Sequence, residues 1–344
     1  MAPHPRPRRR SMLAAALTTA LLGPIPLSPI PATAADASDQ QGAALCTADS
    51  DWTLAARMSQ DIRAALSSRA GSVSVSVRDT RTGLVCDLAS HRRYDAASVA
   101  KVLTMEAALH RAQEWGRGLT AWERRRIRPM ITRSDNDATG RLWHDLGHAY
   151  LSRFLRRVGT TATTLGSYGY WGLTRTTAAD QQRLLGVLTG ARGVLKPAAR
   201  AYGLRQMADV RGDQRWGVPA GMPRGLRAHL KNGWLPRATH GWRVHSVGVF
   251  TGGDRTYRIV VLTHGNPTMA YGVRTVERVA QAVHRGLNKG RAIGQALTPQ
   301  SEISETPDGS APPQGDYAPP PQGDFTPPEG DFTPPEEEGD APAA

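Results

Sequence analysis

Hydrophobic and polar positions along the chain change period several times, and each change marks an element. Residues 52–69, WTLAARMSQDIRAALSSR, repeat apolar positions at three- and four-residue intervals and predict a helix. SVSVSVRD at 72–79 alternates strictly, TRTG turns, and LVCDLAS at 84–90 alternates again, which predicts a β-hairpin. From Ala96 to about Val194 the period is helical with polar breaks. Strand patterns return at LRAHLKNGW (226–234), at HSVGVFTG (245–252) and, after a Gly-Gly-Asp turn, at TYRIVVLTH (256–264). A last helix is expected from about Tyr271 to Leu287. This order predicts an α+β fold. One five-stranded antiparallel sheet is covered by the first and last helices, and an all-helical subdomain is inserted between the two groups of strands.

The ends fall outside this pattern. The first 35 residues begin with a basic segment, continue through a short apolar run from Met12 to Leu22, and end in small residues around Ala32-Thr33-Ala34. That is the layout of a secretory signal, and Arg9-Arg10-Ser11-Met12-Leu13 also fits a twin-arginine export signal. The apolar run is too short for a stable membrane span. A secreted protein, outside the cell or in its wall, is therefore expected, its folded part covering residues 36–296. In an oxidising compartment Cys46 and Cys86 are expected to form one disulfide, two buried thiols being the alternative. From 297 to 344 the repeats GDYAPPP, GDFTPPE and GDFTPPE begin at Gly315, Gly323 and Gly330. So much proline and acid cannot bury a core, and this tail is expected to be disordered.

Charge divides in the same way. Residues 36–296 carry 39 Lys plus Arg against 19 Asp plus Glu, a net +20, whereas 297–344 carry 11 acids and no Lys or Arg. The basic body suits anionic cell-wall polymers. Its cations are scattered without an aromatic-interleaved stripe, so nucleic acid is not expected as a partner. His229, His240, His245 and His264 stand singly, and no Cys/His cluster has metal-ligand spacing, so neither a metal nor another cofactor is expected. A monomer acting on a small substrate fits best.

Four of the 43 basic residues are lysines: Lys101, Lys196, Lys231 and Lys289. A chain that otherwise uses arginine keeps lysine where arginine cannot serve, because a desolvated lysine can give up its proton. Lys101 lies three residues after Ser98 in the apolar run AASVAKVLTM, so the two share a helix face. A hydroxyl beside an amine that can become neutral is an activated nucleophile. A capping serine beside a solvent-seeking lysine is the plain structural alternative. Two further motifs decide between them. Ser134-Asp135-Asn136 lies between two helical segments, and Lys231-Asn232-Gly233 lies at the end of a strand.

The order S-x-x-K, S-D-N, K-x-G resembles the penicillin-recognising serine hydrolases, the class A β-lactamases and DD-peptidases, over residues 50–290 or so. GLTAWERRRIRPMITRSDNDATGRLW is similar to the helix that leads into their S-D-N motif. The resemblance implies acyl transfer through Ser98, with Lys101 as base, Ser134 as proton relay and Asn136 as partner of both Lys101 and substrate. It implies that Lys231 attracts a substrate carboxylate beside Asn232 and Gly233, and that the backbone N–H groups of Ser98 and Trp234 form the oxyanion hole. Arg243 or His245 stands about where the family keeps a second carboxylate-binding cation.

Three departures shape the expected activity. Class A β-lactamases use an Ω-loop glutamate to activate the deacylating water, yet no Asp or Glu occurs between Leu146 and Ala179. Tyr168 and Tyr170 are the titratable residues of that loop, and a phenol is a poor base at neutral pH. Ser98 and Ser134 are too close in sequence for the family's insert above the cleft. Asn232 stands where a hydroxyl residue is usual. A slowly deacylating β-lactamase is therefore expected, with a peptidoglycan DD-peptidase as the alternative. A non-catalytic cell-wall binder is the reading from a different class.

Overall fold

The computed structural model describes residues 44–299, apart from Tyr168 and Arg192. The expected leader and nearly all of the acidic tail lie outside this range. The first helix, α1 (Trp52–Leu66), starts at Asp51, whose carboxylate accepts the Leu54 N–H at 2.8 Å. That bond satisfies one of the amides a helix start leaves open. Leu54, Ala55, Met58 and Ile62 form its buried stripe. The alternating segments form β2 (Ser72–Asp79) and β3 (Val85–Leu88). The valines of β2 face the core, but Ser74 and Ser76 are buried as well. Their hydroxyls are satisfied: Ser74 Oγ donates to Ala89 O at 2.6 Å and Ser76 Oγ to the Asp87 carboxylate at 2.8 Å. The polar face of this strand is therefore covered by protein.

The later strands are β6 (Arg227–Pro236), β7 (Trp242–Gly252) and β8 (Arg255–Asn266). β7 and β8 are joined by Gly253-Asp254, with Gly253 at φ 60°, as a two-residue hairpin turn requires. The expected five strands are present in one antiparallel sheet, joined by a short sixth at its edge, β1 (Cys46–Thr47). Two residues carry no readable period, so this strand had no sequence signal. The order is β1-β3-β2-β8-β7-β6. Cys46 pairs with Cys86 across β1 and β3, and the two are disulfide-bonded. A small second sheet joins β4 (Tyr94–Asp95) to β5 (Arg175–Thr176).

Between the strand groups lie α2 (Ala100–Glu114), α3 (Ala121–Thr132), α4 (Asn136–Val158), α5 (Ala178–Leu188) and α6 (Pro197–Ala208). The last of these extends the helical insert past the expected end near Val194. α7 (Met269–Leu287) returns beside α1, its apolar stripe running through Val273, Val276, Ala280, Val283 and Leu287. Among the described residues no helix is long and apolar enough to cross a membrane.

Candidate active site

Ser98 lies in a 3₁₀ turn, Ala97–Val99, that runs directly into α2. The turn begins with Ala97 at φ 46°, a left-handed conformation that costs a residue with a Cβ about 1–3 kcal/mol. Strand β6 passes close beside it. A Cβ on Gly233 would stand 2.8 Å from Ser98 N and 2.9 Å from Val99 N, so only glycine permits this approach. Gly233 thus brings the β6 backbone up to the amide of Ser98, one residue before Trp234. Trp234 is half-buried and meets Trp216 edge-on at 5.8 Å.

The second serine comes from the opposite wall. The chain leaves α3, turns through Ser134 at φ 60°, and enters α4, capped by Asp135 accepting the Ala138 N–H at 2.8 Å. This turn directs Ser134 and Asn136 at Lys101. Lys101 is 0 % exposed, and its Nζ lies 2.8 Å from Ser98 Oγ, 2.9 Å from Ser134 Oγ, 2.7 Å from Ser134 O and 2.7 Å from Asn136 Oδ1. Ser134 Oγ donates to Ser98 Oγ at 2.9 Å. Lys231, also 0 % exposed, donates from β6 to Ser134 Oγ at 3.0 Å and to Asn232 O at 2.9 Å. Two lysines and two serines therefore form one chain of contacts, Lys231–Ser134–Ser98–Lys101. A proton leaving Ser98 has Lys101 Nζ on one side and Ser134 Oγ on the other, within hydrogen-bond reach of both.

Three of the expected substrate contacts are engaged elsewhere. Asn232 turns to the other face of β6, where its amide N–H groups donate to Gln214 O and Trp216 O, each at 2.9 Å. Arg243 is buried and binds the Asp95 carboxylate through Nε at 3.0 Å and Nη2 at 2.9 Å. His245 is 0 % exposed. Its Nδ1 accepts the Thr263 N–H at 3.1 Å, so Nε2 carries the proton and donates to Asp95 O at 2.8 Å. Burial is the main cause that holds this imidazole neutral, down to about 4. Asp95, which no sequence argument singled out, thus ties down both side chains expected to supply a second cation.

A second residue missed from sequence is Trp171. The acid-free loop folds back on itself: Gly166 N–H donates to Thr174 Oγ1 at 3.1 Å, and Thr174 O accepts Ala96 N–H at 2.8 Å, two residues before Ser98. This anchoring sets Trp171 over Lys101, with Nζ 4.5 Å from the indole centroid, in cation–π range. Of the acids that could have compensated, Asp137 is exposed on the first turn of α4, and Asp145 pairs with Arg111. Tyr170 is half-buried in the same loop, and Tyr168 lies outside the described residues.

The fold and the converging serine–lysine pairs define a serine hydrolase of the β-lactamase type. The sequence model described as "Beta-lactamase enzyme family" matches residues 57–121 and 123–287, and the chain belongs to that family. Solved structures agree on the fold. A variant of the reconstructed last common ancestor of Gram-negative class A β-lactamases superposes with a TM-score of 0.58 at 22 % identity, covering 69 % of this chain and 100 % of its own. A structure titled PBP-A gives 0.57 at 18 % identity over 68 % of this chain and 96 % of its own. A β-lactamase from Xanthomonas campestris gives 0.56 at 20 % identity over 69 % of this chain and 98 % of its own. No curated protein sequence matches the chain.

Proposed function

We propose that the protein is an exported acyl-transfer enzyme that opens β-lactams, or cleaves related amides and esters, through a covalent intermediate on Ser98. The observation that carries this reading is the placement of the buried Lys101 Nζ 2.8 Å from Ser98 Oγ, with Ser134 Oγ 2.9 Å from both. Two ammonium groups that share Ser134 Oγ repel one another, which favours release of a proton from Lys101. The free amine takes the Ser98 proton as Oγ attacks the carbonyl. Ser134 passes a proton to the departing nitrogen, with Lys231 holding its hydroxyl. The amides of Ser98 and Trp234 receive the oxyanion, a contribution worth about 2.7–4 kcal/mol per donor in sites of this kind.

Deacylation is the slow step in this proposal. The loop facing Lys101 presents the indole of Trp171 and no carboxylate. General-base activation of water typically contributes roughly 10²–10⁴-fold, and the loop offers no such base. This favours a peptidase-like, penicillin-trapping behaviour over efficient lactam turnover.

Intact-mass spectra over time after mixing with a penicillin, with Ser98→Ala as control, test the proposal. A long-lived adduct on the wild type alone is expected. Rapid consumption without a lasting adduct would replace slow deacylation by true β-lactamase activity. No adduct and no consumption would set aside the lactam reading and leave the non-catalytic cell-wall binder as the better account.

A further inference from the structure

A cavity of about 380 Å³ opens between α2, α3 and α6, within the size range of ligand sites. Four cations line it, Arg117, Arg124, Lys196 and Arg205, and no carboxylate does. Arg117 is compensated from behind by Glu123, at 2.8 and 3.0 Å. Among the described residues no carboxylate pairs with Arg124, Lys196 or Arg205. Between the cations the wall is apolar and aromatic, with Leu109, Leu119 and Tyr202. The first turn of α6 also lines the cavity at Ala198 and Ala199. Lys196, at its N-cap, supplies no side-chain cap, so the partial positive charge of the helix start adds to that of the side chains. The site is built for a ligand that carries anionic and apolar groups side by side.

The chain itself holds such a ligand. Each tail repeat, G-D-Y-A-P-P-P or G-D-F-T-P-P-E, sets an aspartate directly before an aromatic residue and then a run of prolines. The tail carries 11 acids and no Lys or Arg, opposite a body of net +20. Proline runs lose little entropy on docking, and they favour aromatic walls such as that of Tyr202. A tethered segment meets its site at an effective concentration on the order of millimolar, so even a weak match is occupied. We propose that this cavity is the docking site of the chain's own acidic repeats, with the aspartate on the arginines and the Phe or Tyr against Leu109 and Leu119. The site is independent of the Ser98 chemistry.

A fluorescein-labelled peptide of residues 323–336, GDFTPPEGDFTPPE, tests this by anisotropy. The chain ending at residue 299 keeps every contact described above and serves as receptor. Saturable binding is expected, weakened about fivefold or more by Arg124→Gln with Arg205→Gln and by salt near 0.5 M. Both arginines are exposed, so the double variant should melt like the wild type. The full chain should bind the peptide about fivefold more weakly, because its own repeats compete. A peptide with both phenylalanines changed to serine should also bind less. Equal binding to the double variant, or by the serine peptide, would reduce the effect to diffuse attraction by the basic surface and overturn the site. Equal binding to the full chain, or none near 1 mM receptor, would overturn the tail as occupant.

Discussion

Glu106 offers a sharp test of how this core is built. It lies on α2, five residues past Lys101, is 0 % exposed, and neither carboxyl oxygen has a hydrogen-bond partner among the described residues. Burial alone pushes its carboxyl well above the usual 4.5. The folded protein therefore accommodates the neutral acid. Below about pH 4.5 both folded and unfolded chains hold the proton, and the stability linked to it is fully present. Above that, the unfolded chain releases the proton while the folded chain keeps it. Stability then falls by about 1.4 kcal/mol per pH unit until the folded group itself ionises. Against a typical domain stability of about 5–15 kcal/mol, two such units are a large loss. Glu106→Gln preserves the shape and cannot release a proton. It still buries an unsatisfied polar group, so it shifts stability by a constant amount, and the pH-dependent part should vanish. Urea unfolding followed by circular dichroism at about pH 5, 6, 7 and 8 measures both proteins. The variant's stability relative to wild type should rise with pH, by up to about 1.4 kcal/mol per unit. A difference that stays flat across this range would refute the reasoning and mean that the carboxyl is solvated or paired.

Gly233→Ala forces a Cβ to within 2.8 Å of Ser98 N, so β6 or the turn must shift. Because a misplacement near 1 Å can cost about 10²-fold, acylation by a penicillin should slow by that order while the chain remains folded, as stopped-flow rates and a melting curve would show. Removing the disulfide by Cys46→Ala with Cys86→Ala opens a loop with a sequence separation of 40. Chain-entropy arguments put the loss at about 4 kcal/mol, read as a lower urea midpoint with a steeper slope, because the unfolded chain is less compact without the cross-link; the wild type under reducing conditions should behave the same way.

The backbone of this site was legible because its chemistry leaves marks in composition. In a chain rich in arginine, Lys101 and Lys231 stand out, and S-x-x-K, S-D-N and K-x-G lie on the turn-to-helix junction, the interhelical turn and the strand that the structure brings together. What escaped was set by neighbours far away in sequence. The resemblance implies a second carboxylate-binding cation at Arg243 or His245, yet Asp95, about 150 residues earlier, captures both. Asn232 points away because the carbonyls of Gln214 and Trp216 accept its two amide N–H groups. Trp171 leaves no catalytic mark in the sequence, because an indole acts on a cation without titrating and its place over Lys101 is set by the fold of the loop. The edge strand Cys46–Thr47 exists through pairing with β3, which two residues cannot announce.

Three cationic side chains are buried around β6 and β7, and their partners separate structure from chemistry. Arg243 is matched to the Asp95 carboxylate by two close contacts, the arrangement that makes a buried guanidinium tolerable and fixes it in place. Lys101 and Lys231 are buried as deeply, but the contacts that join them to the site run to hydroxyls, carbonyls and an amide. Arginine could not replace lysine there, because a guanidinium holds its proton at any accessible pH. In the proposed mechanism Arg243 is a strut held by Asp95, whereas Lys101, with Nζ 2.8 Å from Ser98 Oγ, is placed to take its proton. That geometry, together with the S-x-x-K, S-D-N and K-x-G motifs, is what supports the proposed assignment of the reaction to Ser98 and Lys101.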